Sequence, residues 1–219
     1  MPDSKVTGCA ELLRAGTQAL GINLADSDRE QVFLLLDLLD RWNRIYNLTG
    51  IRDRAEQISR HILDSFSIHP YVYGHRVLDV GTGAGFPGLP LALINRDREF
   101  VLLDANAKKI RFVRHAMMTL KLANVQAERD RVEVYTSNAL FDTIMTRAVS
   151  SLGLIVEHCG HLLAPGGRIL AMKSEIGQDE AAGLGDNWRM DLHALSVPGI
   201  ASPRSVVEIR SASTGSDAG

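Results

Sequence analysis

Apolar residues recur at helical spacing through the first third of the chain and then give way to short apolar runs separated by helical stretches. Val32, Leu35, Leu36, Leu39 and Trp42 fall three or four residues apart, which makes one stripe of an amphipathic helix. Ser27-Asp28-Arg29-Glu30 in front of it reads as a capping box, and Asn47-Leu48-Thr49-Gly50 as its end. A shorter helix over Cys9–Leu20 precedes it and is stopped by Gly21. A third helix is capped by Asp53 or Glu56, carries Ile58, Ile62, Leu63 and Phe66 on one face, and ends at Pro70. Residues 1–70 are therefore expected to form a helical N-terminal extension.

From His75 the texture alternates. Strands are predicted over His75–Val80, Glu99–Asp104, Val125–Glu128, Phe141–Thr146 and Arg168–Lys173. Between them lie helices over Gly88–Ile94, Ala107–Leu122 and Leu152–Leu163, and a short turn at Arg131–Val134. Glu180–Leu184 reads as a short helix, and Arg189–Val197 with Ser205–Arg210 as a closing antiparallel pair. Strands separated by helices imply an α/β domain over 71–210 built on a parallel sheet with right-handed crossovers. Ligands in such sheets bind beyond the carboxyl ends of the strands. The stretch 211–219 is small and polar and is expected to be a disordered tail.

Composition adds exclusions. The net charge of −2 argues against an indiscriminate nucleic-acid binder while leaving room for a local basic face. Two distant cysteines, Cys9 and Cys159, give neither a disulfide framework nor metal-ligand spacing, which suits a reducing cytoplasm. No signal peptide and no run of membrane-spanning length is visible, so no membrane partner is expected, and the chain reads as a monomer.

The candidate chemistry centres on Val77–Gly88, VLDVGTGAGFPG. An apolar strand ends in Asp79, and glycines follow at Gly81, Gly83, Gly85 and Gly88. Glycines let the backbone take positive φ and approach a ligand, and a helix start beyond them presents free N–H groups. Gly83–Gly88 fits a dinucleotide fingerprint. Gly81–Gly85 after Asp79 is closer to the loop of S-adenosylmethionine-dependent methyltransferases, because a carboxylate beside the loop suits an ammonium- and sulfonium-bearing cofactor better than a pyrophosphate. Asp104, 19 residues after Gly85, is placed to grip ribose hydroxyls in either cofactor, or else caps the next helix. Val132-Glu133 follows the third strand, either as an adenine contact or as the acidic first turn of a surface helix. Arg147 and Lys173 end strands four and five on the same rim. His61 and Asp64 share a helix face as a polar structural contact or a substrate contact. Arg41, Arg44, Arg52, Arg54 and Arg60 gather in the leader, and Arg96, Arg98, Lys108, Lys109, Arg111 and Arg114 further on, as phosphate contacts or solvated helix faces.

Several stretches then align in order: Asn47-Leu48-Thr49, Arg60-His61-Ile62-Leu63-Asp64-Ser65, Asp79–Gly88, Leu103-Asp104, Lys109-x-Arg111-Phe112, Arg131-Val132-Glu133 and Arg147-Ala148. Together they span about 25–173, and in them the chain resembles the bacterial 16S rRNA guanine-N7 methyltransferases, the RsmG or glucose-inhibited division protein B family. The resemblance implies a Rossmann-like sheet with a helical extension, S-adenosylmethionine as methyl donor, and a guanine of 16S rRNA in the small ribosomal subunit, or its assembly intermediate, as acceptor. It implies cofactor contacts at Gly81, Phe86, Val132, Glu133 and Arg147. Asp79, Gly83 and Asp104 join them from the residue arguments above. Asn47, His61, Asp64 and Lys173 remain candidates for the acceptor side. The chain departs from the family pattern at Val149, at Pro203-Arg204, and at Glu208, which interrupts the apolar run of the last strand. Guanine N7 carries a lone pair and no proton, so its methylation requires no general base, and no residue is assigned that role. A small-molecule methyltransferase, a nicotinamide-dependent oxidoreductase and a noncatalytic RNA-binding factor are the alternatives.

Overall fold

The computed structural model describes residues 4–147, 151–174 and 183–212, with side chains from residue 8 onward. Its sheet has seven strands: β1 (Arg76–Val80), β2 (Glu99–Leu103), β3 (Val125–Glu128), β4 (Phe141–Arg147), β5 (Leu163–Lys173), β6 (Trp188–Ala194) and β7 (Ser205–Ser211). The order is β3-β2-β1-β4-β5-β7-β6. The first five pair in parallel, and β7 enters antiparallel between β5 and β6. Order reverses between β2-β1 and β4, so the carboxyl ends of β1 and β4 flank the crevice where such sheets hold ligands.

The helices are α1 (Ser4–Ala19), α2 (Asp26–Tyr46), α3 (Arg54–Gln57), α4 (Asp64–Ser67), α5 (Gly88–Ile94), α6 (Ala107–Thr119) and α7 (Leu152–Cys159). Each strand buries alternate residues on opposite faces. On one face Val77, Phe100, Leu102, Met145, Leu170 and Val206 join Leu13, Leu24, Leu35, Leu39, Ile62 and Phe66 in a single apolar core. The leader helices therefore pack directly onto the sheet. On the other face Leu78, Val101, Ile144, Ile169 and Val207 meet Leu152, Ile155 and Cys159 of α7.

Three local expectations are corrected. The cap of α2 is Ala25, not Ser27, and it makes no side-chain cap bond. Its first turn closes through Arg29, which donates to the Leu24 carbonyl at 2.7 Å and pairs with Asp26. The third helix begins at Asp53, whose side chain accepts from the Glu56 N–H, but over Ile58–Leu63 it widens into a π-helix between α3 and α4. That turn carries His61. Third, Ser211, placed in the tail from sequence, ends β7, and Ala212 N–H donates to the Asn187 carbonyl at 2.8 Å. Ala148, Val149, most of the Glu180–Leu184 helix and residues 213–219 lie outside the described residues.

Glu208 does not break the last strand. It is buried in β7, with Arg168 at 2.7 Å and His193 at 3.1 Å, so the charge that interrupts the apolar pattern is paired.

Candidate functional site

The glycine loop divides its residues between two tasks. Gly81 and Gly83 have φ of 68° and 63°, a region that side chains other than glycine rarely adopt. A Cβ on Gly81 would meet nothing within 4 Å, and one on Gly83 only the Gly81 carbonyl at 3.9 Å, so both face open space. Gly88 is different: a Cβ there would lie 2.7 Å from Asp79 Oδ2 and 2.8 Å from Leu102 Cγ. Its lack of a side chain lets α5 sit close on the sheet.

Asp79 ties this loop together. Its Oδ2 accepts from the Thr82 hydroxyl at 2.6 Å and from Gly88 N–H at 2.9 Å. Burial raises its carboxyl to a pKa of about 6, against the lowering effect of those two bonds. Its Oδ1 is buried with no hydrogen-bond partner. Thr82, three residues on from Asp79, lies outside the candidates that the sequence offers. The Asp-x-x-Thr spacing is the signal that points to it.

On the β2–β3 side, a cavity of about 280 Å³ is lined by Val80, Gly81, Leu103, Asp104, Ala105, Asp130, Arg131, Val132 and Glu133. Gly81, Asp104, Val132 and Glu133, far apart in sequence, thus share one wall system. Asp104 Oδ2 accepts from Gly83 N–H at 2.9 Å and Oδ1 from Asn106 N–H at 2.8 Å, and Lys109 Nζ stands 3.6 Å from it. The cap of α6 is Asn106, whose side chain accepts from Lys108 N–H. Asp104 braces the turn in front of that cap. Each carboxylate oxygen retains acceptor capacity. Glu133 lies 3.7 Å from His158 of α7.

On the β4 side, Phe86 of the loop is covered by the leader. His61 stacks on its ring with centroids 4.5 Å apart, and the Arg147 guanidinium carbon is 6.0 Å from the same centroid. Arg147 also donates to the Arg60 carbonyl at 3.3 Å and stands 3.6 Å from Asp64 Oδ2. Arg204, just before β7, approaches Asp64 Oδ1 at 3.4 Å. Burial raises the Asp64 pKa, and the two arginines oppose that rise. His61 is depressed to a pKa of about 4, first by burial and then by Arg147 and Arg60, so its ring is neutral at physiological pH. Its Nε2 shares a hydrogen bond of 3.0 Å with the Thr49 hydroxyl. Asn43 holds Thr49 in turn, donating to its carbonyl and accepting from its N–H, both at 2.9 Å. His61 and Asp64 are thus interior residues, 6% and 5% exposed, behind the rim. Asn43, Thr49 and Arg204 were not singled out from sequence as site residues. Thr49 sits within the Asn47-Leu48-Thr49 run, which is the signal available for it.

Asn47 is the exposed left-handed C-cap of α2, with φ of 50°, and its N–H donates to the Asn43 carbonyl. Lys173 ends β5, and its carbonyl accepts from Ser205 at 3.4 Å. The basic residues separate into two groups. Arg54 is committed to Asp37 and Asp40 at 2.7 and 2.8 Å, Arg98 to the Val72 carbonyl, and Arg114 to the Ala127 carbonyl. Arg41, Arg44, Arg52 and Arg60 are exposed. Arg44 and Arg52 line a notch of about 220 Å³ with Asp40 and Asn43.

The family described as GidB, rRNA small subunit methyltransferase G, matches residues 28–207. The chain belongs to the rRNA small subunit methyltransferase G family. It is 43% identical to the ribosomal RNA small subunit methyltransferase G of Methylococcus capsulatus, over 91% of this chain and 97% of that one. Against the protein of the same name from Nitrosococcus oceani it is 45% identical, over 91% and 94%. Among solved structures, a SAM-dependent methyltransferase from Aquifex aeolicus superposes with a TM-score of 0.53 at 17% identity, covering 70% of this chain and 92% of that one. Precorrin-6y C5,15-methyltransferase from Geobacter metallireducens gives 0.54 at 10% identity, covering 68% and 87%, and at this identity both report the fold. In this methyltransferase G chain the dinucleotide-like spacing of Gly83–Gly88 reflects packing, since Gly88 serves the seat of α5.

Proposed function

We infer that this chain transfers a methyl group from S-adenosylmethionine to N7 of a guanine in 16S ribosomal RNA. The observation that carries this is the open face of Gly81 on the Asp104 cavity, beside Gly83 whose N–H bonds Asp104, in a chain of the methyltransferase G family.

The residues present fit the cofactor. Gly81 and Gly83 would hold its methionine end, in a loop that the buried Asp79 keeps in place. Asp104 would take the ribose hydroxyls, and Leu103, Val80 and Val132 would flank the adenine. When bound, S-adenosylmethionine supplies an electrophilic methyl whose C–S bond electrons stay with sulfur as the N7 lone pair forms the new C–N bond. No proton leaves N7, so His61 has no proton to take, and burial keeps its ring neutral. The protein's contribution is alignment, worth about 7–11 kcal/mol in well-oriented systems, and placement of carboxylates near a purine that becomes cationic. Arg147 does not take the usual fork onto guanine O6 and N7, because that grip would cover the nucleophile. Held by Asp64 and the Arg60 carbonyl, it presents its remaining donors to the cofactor or to a phosphate. Asn47, Lys173, Arg44 and Arg52 are assigned to the acceptor side, with phosphates seated at the Arg44–Arg52 notch. The enzyme acts as a cytoplasmic monomer on the small subunit or its assembly intermediate.

The test uses purified protein, methyl-labelled S-adenosylmethionine and 30S particles lacking the modification. Label in 16S RNA supports the reading. Tight S-adenosylhomocysteine binding with no label in RNA refutes it.

A further inference from the structure

The outer side of α6 and the C-terminal half of α2 carry a feature that the methyl-transfer site does not use. Trp42 is the centre of a ring cluster: Tyr46 and His115 each lie 5.4 Å from it, and the buried Phe112 anchors it at 5.7 Å. Trp42, Tyr46 and His115 are half-buried, so the cluster lies at the surface. One helical turn from these rings stand Ile45 and Met118, 72% and 68% exposed, the two most exposed large apolar side chains among the described residues. A single exposed apolar residue is ordinary; two of them beside three surface rings make a patch.

The charges around the patch indicate what covers it. Helix α6, AKKIRFVRHAMMT, contains no acid. The last nine residues of α2 contain one, Asp40, and it is bound to Arg54 at 2.8 Å and Gln57 at 2.7 Å. Lys109 turns to Asp104 and Arg114 to the Ala127 carbonyl. Arg41, Lys108 and Arg111 are left exposed, with no acidic partner among the described residues. RNA supplies both complements at once, phosphates for the cations and unstacked bases for the ring faces. The strip also begins beside the proposed cofactor site, since Lys108 follows Asn106, the α6 cap braced by Asp104.

We propose that this α2–α6 face is a second RNA-docking surface, on which Trp42, Tyr46 and His115 stack with unpaired bases of the acceptor RNA while Arg41, Lys108 and Arg111 hold its phosphates. The proposal rests on the reading that RNA is the acceptor.

The chain has two tryptophans, so Trp188→Phe leaves Trp42 as the sole reporter. Titration of that variant with transcribed 16S rRNA is expected to quench Trp42 emission saturably. Arg111→Glu and Met118→Glu, both at exposed positions, are expected to raise the RNA Kd and KM by roughly ten-fold, the size of one lost stacking or charge contact, with S-adenosylhomocysteine affinity unchanged. Unchanged emission at saturating RNA, or unchanged RNA Kd in both variants, overturns the proposal. Quenching by RNA-free small-subunit proteins, and not by RNA, also overturns it and assigns the face to a protein. Absence of methyl transfer by the wild-type chain counts against the proposed activity alone, because the emission titration and the RNA Kd still judge this face.

Discussion

The imidazole of His61 lies face to face with the phenyl ring of Phe86, 4.5 Å between centroids and 14° from parallel. This stack joins the π-helical turn of the leader to the glycine loop. His61→Ala is expected to cost about 2–4 kcal/mol, because it empties a buried site and strips the Thr49 hydroxyl of a partner. It should also weaken S-adenosylhomocysteine binding by loosening Phe86. His61→Phe keeps a ring on Phe86 and should recover most of that affinity. Denaturant unfolding and calorimetric binding check both.

The same histidine gives the fold an acid-sensitive component. Its folded pKa of about 4 lies below the ordinary histidine value of 6.5, so the unfolded chain takes the proton first. Its contribution is present above pH 6.5 and is lost as pH falls toward 4, a change of about 3 kcal/mol at most. Asp79 acts in the opposite sense. Its folded pKa of about 6 exceeds the ordinary aspartate value of 3.8, so the folded chain protonates first, and its destabilising contribution fades as pH falls through that window. Between pH 4 and 7 the two effects oppose each other and are similar in size, so His61→Gln should tilt the stability curve toward loss with rising pH and Asp79→Asn toward gain.

Two glycines of one loop should fail differently. Gly81→Ala adds a methyl to open space at φ of 68°, so the fold loses about 1–2 kcal/mol while cofactor affinity drops sharply. Gly88→Ala drives a methyl against Asp79 and Leu102 and should cost about 1–3 kcal/mol of stability through overpacking. Paired measurements of melting temperature and S-adenosylhomocysteine Kd separate the two. Equal loss of affinity at equal stability would remove the distinction.

Much of this was legible in the sequence, and for a physical reason. Strands β2 and β4 fall within a residue of the apolar runs that predict them, because strands covered on both faces are nearly continuously apolar, and the edge strand β3 follows its alternation of buried and exposed residues. The π-turn at Ile58–Leu63 was not legible, since its apolar spacing also suits an α-helix and its widening shows only in the folded backbone. The early start of α2 was hidden for a related reason: Arg29 closes its first turn in place of a capping side chain. The partners of Arg54, Asp64 and Glu208 are tertiary, so residue type alone could not separate structural from ligand-facing charges.

Glu208 shows what that distinction is worth. Glu208→Ala would leave the half-buried Arg168 without its 2.7 Å partner and should cost about 1–3 kcal/mol. Replacing Arg168 and Glu208 together by Met and Leu should recover much of it. A double-mutant cycle by chemical denaturation measures the coupling, and additive losses would contradict the pairing.

In the proposed reaction the methyl group goes to guanine N7. The most direct measurement is nucleoside analysis of 16S RNA after single-turnover reaction with methyl-labelled S-adenosylmethionine, together with chain cleavage at 7-methylguanosine to locate the site. All label is expected in 7-methylguanosine at one position. Label on a pyrimidine carbon, an exocyclic amine or a ribose hydroxyl would contradict it.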